Sequence, residues 1–263
     1  METLLITGAA GNIGALLRPL LARPGRVLRL FDIAPVPDPG PGEEVVAGSV
    51  TDPAALAAAT AGVDAVLHLG GLSQEAPWAD LLAVNVEGSR NVLQAAADAG
   101  VPRVLLASSG HAVGYRTRAE APLPADAPPL PDGFYGWSKA ALESLGALYQ
   151  RRYPEMTVFC LRIGACFPQP DAPRALTMWL SPADAARLVE ACLSTPERGL
   201  HHVWGVSANT QGWLSHAGGE AIGYFARDDS EAWADRLGSL TPDDPDYHVL
   251  GGPYGRLPLG VRP

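Results

Sequence analysis

Short β-like runs alternate with helical patterns through the first two hundred residues, a glycine-rich turn joins the first run to the first helix, and an aspartate closes the second run. Together they predict an α/β fold built on a doubly wound parallel sheet. Residues 3–7 form an apolar strand and 13–21 a helix; 27–31 and 44–47 are the next two strands. Asp52 and Pro53 open an alanine-rich helix as cap and first-turn residue. Residues 65–69 read as a buried strand, 79–99 as one long helix stopped by Gly100, and 103–107 as the following strand. The proline-rich stretch 119–133 has to be a surface loop, because proline neither propagates a helix nor sits in a central strand. After it come a helix over 134–153, a sixth strand over Thr157–Ile163, a helix opened by Ser181 and Pro182, and a seventh strand over 201–206. Residues 1–163 therefore read as the nucleotide-binding part, and 164–263 as a small substrate-side region packed on the same domain.

Composition narrows the partners. The formal charge is −9, and the longest basic cluster is Arg151-Arg152, so neither nucleic acid nor an anionic membrane is expected to bind. Cys160, Cys166 and Cys192 leave an odd thiol and show no metal or redox spacing, which suits a reducing cytoplasm. Glu2 stands where a leader would be basic, and no apolar run approaches a membrane span, so the expected location is the cytoplasm. His201-His202 and the acidic Asp243, Asp244 and Asp246 lack a converging ligand set, so no metal is expected.

The turn Thr7-Gly8-Ala9-Ala10-Gly11-Asn12-Ile13-Gly14 follows a strand and opens a helix. Gly8 permits a tight turn, Gly11 lets backbone approach a pyrophosphate, and Gly14 lets helix and strand pack closely, with the helix N-terminus facing the anion. Asp32 at the end of the second strand suits an adenosine ribose and repels a 2′-phosphate. The cofactor expected of this Rossmann-like fold is NAD.

Eighteen of the 19 cationic side chains are arginines; the exception is Lys139. It stands four residues after Tyr135, on the same face of a helix. With seven tyrosines in 263 residues, chance gives that spacing in about 7 of 263 cases. A phenol with a pKa near 10 needs about 3–4 kcal/mol of differential stabilisation to act as a base near neutrality, and a compact ammonium supplies the right sign of charge.

The glycine pattern, Asp32, the strand-end Ser108-Ser109 and the Tyr135/Lys139 pair resemble the extended short-chain dehydrogenase/reductase family. That resemblance implies a catalytic group of Ser109, Tyr135 and Lys139. It is strongest toward the uronate dehydrogenase branch, through segments 67–73, 107–115, 161–164, 174–181 and 203–209. The branch implies cofactor contacts from Gly8, Gly11, Asn12, Ile13, Gly14, Asp32, Ser49, Val50, Leu69, Gly70, Gly71, Lys139, Ile163 and Ala165. It also implies substrate contacts from Ser73, Ser109, Gly110, His111 and Arg174, and a homo-oligomer. A guanidinium at Arg174 matches a sugar carboxylate, which it can grip with two parallel hydrogen bonds. The implied reaction is NAD-dependent oxidation of a hexuronate C1 hydroxyl to an aldonolactone. Three positions depart from the branch: Gly110 replaces asparagine and Ala165 replaces serine, each losing a polar group near the substrate, and Ser49 replaces an aspartate as a weaker partner for the adenine amine. Those departures leave open a dehydrogenase or epimerase acting on another sugar. A non-catalytic NAD-sensing module fits less well, since Tyr135 and Lys139 are both present.

Overall fold

The apolar runs become strands because each finds neighbours that complete its backbone hydrogen bonds, with both faces covered by helices. The computed structural model describes residues 1–262. In chain order, the first half contains β1 (Glu2–Thr7), α1 (Asn12–Leu21), β2 (Arg26–Asp32), β3 (Glu43–Ala47), α2 (Pro53–Thr60) and β4 (Ala65–His68). Then follow α3 (Trp78–Leu81), α4 (Gly88–Asp98), β5 (Arg103–Ser109), α5 (Phe134–Arg152), β6 (Thr157–Ile163), β7 (Ala165–Cys166), β8 (Trp179–Leu180), α6 (Pro182–Ser194) and β9 (Leu200–Gly205).

The main sheet runs β3-β2-β1-β4-β5-β6-β9, and all of its pairings are parallel. Leu4 of β1 faces Leu28 on one side and Ala65 on the other, so the strand order reverses direction at the β1/β4 boundary. Open α/β sheets bind ligands at the carboxyl ends of strands beside such a switch. One apolar layer joins Leu4, Ile6, Leu17, Leu21 and Phe159 to Leu188 and Val189 of α6. The opposite layer joins Leu5, Phe31, Leu56, Val92 and Val104 to Leu142 of α5. Asp52 caps α2 by accepting hydrogen bonds from the N–H groups of Ala54 and Ala55, and Ser181 caps α6 by accepting from Asp184. No helix among the described residues is long and apolar enough to cross a membrane.

Two features differ from the sequence reading. The helix expected over 79–99 is interrupted by a π-helical stretch, Leu82–Glu87. The wider turn directs Asn85 inward, where its side chain bonds both the N–H and the C=O of Leu72 and donates to Ser138 Oγ at 2.9 Å. The two-residue strands β7 and β8, too short to leave a period in the sequence, pair Ala165 with Trp179 and Cys166 with Leu180. Beyond Ile163 the chain thus does two things. It returns α6 and β9 to the sheet, and through its loops it builds the outer wall above the strand ends.

Candidate active site

A cleft of about 360 Å³ opens at the carboxyl ends of the strands and is lined at one end by Gly8, Gly11, Asn12, Ile13 and Gly14. Gly8 has φ +70°, and a Cβ there would lie 2.6 Å from the Gly70 nitrogen. A Cβ on Gly14 would meet the Ala9 carbonyl oxygen at 2.6 Å. The N-cap residue of α1, Gly11, makes no side-chain cap, which leaves the first N–H groups of the helix free for an anion. Asp32 braces this turn: its carboxylate accepts from Ala10 N at 2.9 Å and Ala34 N at 2.8 Å. The cradle therefore fits the pyrophosphate and ribose of a dinucleotide.

Not all of the expected cofactor contacts converge on the cleft. Leu69, Gly71, Lys139, Ile163 and Ala165 line it, whereas Asp32, Ser49, Val50 and Gly70 lie outside its lining. Ser49 bonds its neighbour Thr51 at 2.8 Å. The Val50 side chain is buried against Gly70 and Gly88, where the bare Gly88 of α4 leaves it a slot.

Tyr135 and Lys139 share the inward face of α5, and both are buried. The Lys139 ammonium donates to the Ala107 carbonyl at 2.8 Å and sits 5.7 Å from the Tyr135 ring centre. Burial pushes the Tyr135 phenol up to about 12, against a downward pull from its hydrogen bond with Ser109; Tyr254 and Asp132 add to the rise. Burial also pulls Lys139 down to about 8. Among the protein's own groups desolvation thus outweighs the pull of Ser109 on the phenol, while the Lys139 ammonium is held by a backbone carbonyl.

Further charge pairing lies behind this helix face. Glu143, one turn beyond Lys139, accepts from Arg162 at 2.9 and 2.8 Å and from Ser108 at 2.5 Å, and all three are buried. Arg174 is in the opposite situation. It lines the cleft and donates from Nε and Nη2 to the Leu250 carbonyl at 3.1 and 2.5 Å, but has no carboxylate partner among the described residues. Desolvation holds its pKa below the ordinary guanidinium value, partly offset by the more distant Asp132, Tyr254 and Asp246. A partly buried cation without a counterion favours an anionic ligand.

Ser73, Ser109 and His111 also line the cleft, and His111 donates its backbone N–H to Ser109 Oγ at 3.2 Å. Gly110 does not. It is buried, and a Cβ there would face Met178, Leu250 and Trp204, so this expected substrate contact is placed in the wall rather than on the ligand side.

Sequence reading missed three contributors. Tyr254, in a five-residue 3-10 turn (Gly252–Arg256), and Phe167, in a loop, line the cleft from segments too short for periodicity. Glu75 caps α5: its carboxylate accepts from Phe134 N at 3.1 Å and Tyr135 N at 2.9 Å, where Gly133 has no side chain to offer. A helix beginning at a bare glycine needs an acceptor from elsewhere, and that was the available signal.

Comparison with known proteins follows the same lines. Residues 4–201 match the model of the NAD dependent epimerase/dehydratase family. The chain is similar to a uronate dehydrogenase of Pseudomonas putida, 39% identical over 255 residues that cover 95% of this chain and 94% of the relative. Among solved structures, the uronate dehydrogenase of Agrobacterium tumefaciens superposes with a TM-score of 0.92 at 37% identity, covering 98% of both chains. A glucuronic acid dehydrogenase of Chromohalobacter salexigens superposes at 0.93 with 35% identity, again covering 98% of each.

Proposed function

The chain belongs to the NAD dependent epimerase/dehydratase family, and on that premise we propose that it is an NAD-dependent uronate dehydrogenase. In this reading it oxidises the C1 hydroxyl of a cyclic hexuronate, such as glucuronate or galacturonate, to an aldonolactone. The observation that carries the substrate class is Arg174, a guanidinium without a counterion among the described residues, in the same cleft as Tyr135 and Lys139. It grips the carboxylate and so sets which carbon of the sugar reaches the phenol.

The glycine turn, the N-terminus of α1 and Asp32 hold the cofactor. Bound NAD supplies the hydride acceptor for C1 and a positive charge that favours phenolate over phenol. Tyr135 takes the C1 hydroxyl proton, and Ser109 donates a hydrogen bond to the oxygen as it becomes a carbonyl. Lys139 stays fixed on the Ala107 carbonyl, its charge near the phenol and within reach of a ribose. Burial of both groups keeps water from competing for the proton.

The test is NADH formation, followed by absorbance, with both hexuronates and with the matching neutral aldoses. Turnover is expected for the acids and at least tenfold less for the aldoses. Equal turnover of sugars lacking a carboxylate would remove the role given to Arg174.

A further inference from the structure

At the substrate end of the cleft, His111 and Asp132 fix the position of a proton. Nδ1 of the imidazole lies 2.7 Å from Oδ2 of Asp132, whose side chain is 2% exposed. That carboxylate cannot swing away, because it is packed against the bare backbones of Gly114, Gly136 and Gly251, where any added Cβ would collide with it. The imidazole is held as well: the Tyr254 ring lies 4.3 Å from it and the Tyr135 ring meets it edge-on at 5.8 Å. A carboxylate accepts hydrogen bonds and donates none, so Nδ1 carries the hydrogen and Nε2 of the neutral ring is a lone-pair acceptor. Nε2 has no hydrogen-bond partner among the described residues, and His111 lines the cleft.

The groups facing this pair are Tyr135, Tyr254 and Arg174. Arg174 only donates, and the hydroxyls of Tyr135 and Ser109 are committed to the reacting oxygen. The hydroxyls of Ser73 and Tyr254 and the amide of Gln74 also line the cleft, but each can turn to donate; a ring nitrogen whose partner nitrogen carries its hydrogen toward Asp132 can only accept, which suits a hydroxyl of a polyhydroxylated ligand. We propose that Asp132 is a positioning residue that locks His111 in the Nδ1–H tautomer, so that Nε2 accepts a hydrogen bond from a ring hydroxyl of the sugar acid. The pair then selects a substrate bearing that hydroxyl over its deoxy counterpart, and disfavours a carbonyl or carboxylate at the same position. The ligand rests on the uronate reading; the tautomer does not.

Two measurements on the full chain test this. Long-range ¹H–¹⁵N correlation spectra, with His111 assigned by difference against His111→Phe, are expected to show hydrogen on Nδ1 and a bare Nε2. Asp132→Asn, whose amide donates to Nδ1, is expected to move the hydrogen to Nε2. In kinetics with the hexuronate, His111→Phe and Asp132→Asn should each raise KM about tenfold, with a smaller effect on kcat. His111→Gln, which puts an amide oxygen near the place of Nε2, should return KM to within about threefold of the parent. Across monodeoxy hexuronates, one analogue should lose about tenfold in kcat/KM with the parent chain and almost nothing with His111→Phe. Hydrogen on Nε2 in the parent, or an unchanged KM in His111→Phe, overturns the proposal. If Asp132→Asn does not fold, the two His111 variants still decide the acceptor role. If the parent turns over no uronate, the functional reading fails while the spectra still settle the tautomer.

Discussion

At its glycine end the cleft is lined by bare backbone, and at its far end by side chains. The first end lies within one strand, turn and helix: Gly8, Gly11 and Gly14 keep it bare, and Asp32 ties it to the neighbouring strand through Ala10. The far end is assembled from loops distant in sequence, with Arg174 resting on the Leu250 carbonyl and His111 set between Asp132 and Tyr254. A backbone site is intolerant of change and common to many chemistries. A side-chain site on loops can be retuned for another sugar without disturbing the sheet. Ala165, which lines the cleft, lacks the hydroxyl that the resemblance leads one to expect, whereas a side chain at Gly110 would point into the wall.

The sharpest break between the two ends comes from Tyr135→Phe, which removes the proposed proton acceptor and leaves the glycine cradle intact. Turnover should fall on the order of 10³-fold while NAD binding, read by fluorescence quenching or calorimetry, stays within threefold. Arg174→Lys keeps a charge but loses the planar fork. It should lower kcat/KM for the hexuronate about 100-fold and change the affinity for NAD little. Gly8→Ala acts on the opposite end. A methyl on a φ +70° backbone pressed against Gly70 should lower stability by about 1–3 kcal/mol in urea unfolding, with NAD binding lost alongside.

An effect that depends on pH concerns His68, buried at the end of β4 between Thr7 Oγ1 and Ser89 Oγ at 2.7 and 3.1 Å. Burial, with a contribution from the Lys139 charge, pulls its pKa from 6.5 to about 3. Between those values the unfolded chain binds a proton that the folded chain refuses. Stability is therefore whole above pH 6.5 and falls as the pH drops toward 3, by about 1.4 kcal/mol per unit from this residue. His68→Gln should flatten the acid side of a stability-against-pH curve; an equally steep curve would assign the loss to other groups.

The same contrast explains what could be read from sequence. Strands such as Thr157–Ile163, the Asp52 and Ser181 caps, the glycine turn and the Tyr135/Lys139 pair all follow from spacings of a few residues, and the structure places them where those spacings require. Arg174 needed the family resemblance, since an arginine beside prolines otherwise reads as solvated. Tyr254 and Glu75 left no local pattern: each acts on a residue far away in the chain, His111 in one case and the first N–H groups of α5 in the other. Asn85 was hidden because a π-helical turn keeps a helix-like composition while rotating one side chain inward.

Lys139 is the sole lysine of the chain, and it is 6% exposed. Acylating or reductively methylating reagents thus find no ε-amine on the outer surface; the single one available is reached by way of the cleft. Its rate of modification, read by mass spectrometry, becomes a built-in gauge of whether cofactor or sugar is blocking that entrance, with no label to introduce and no second ε-amine to subtract.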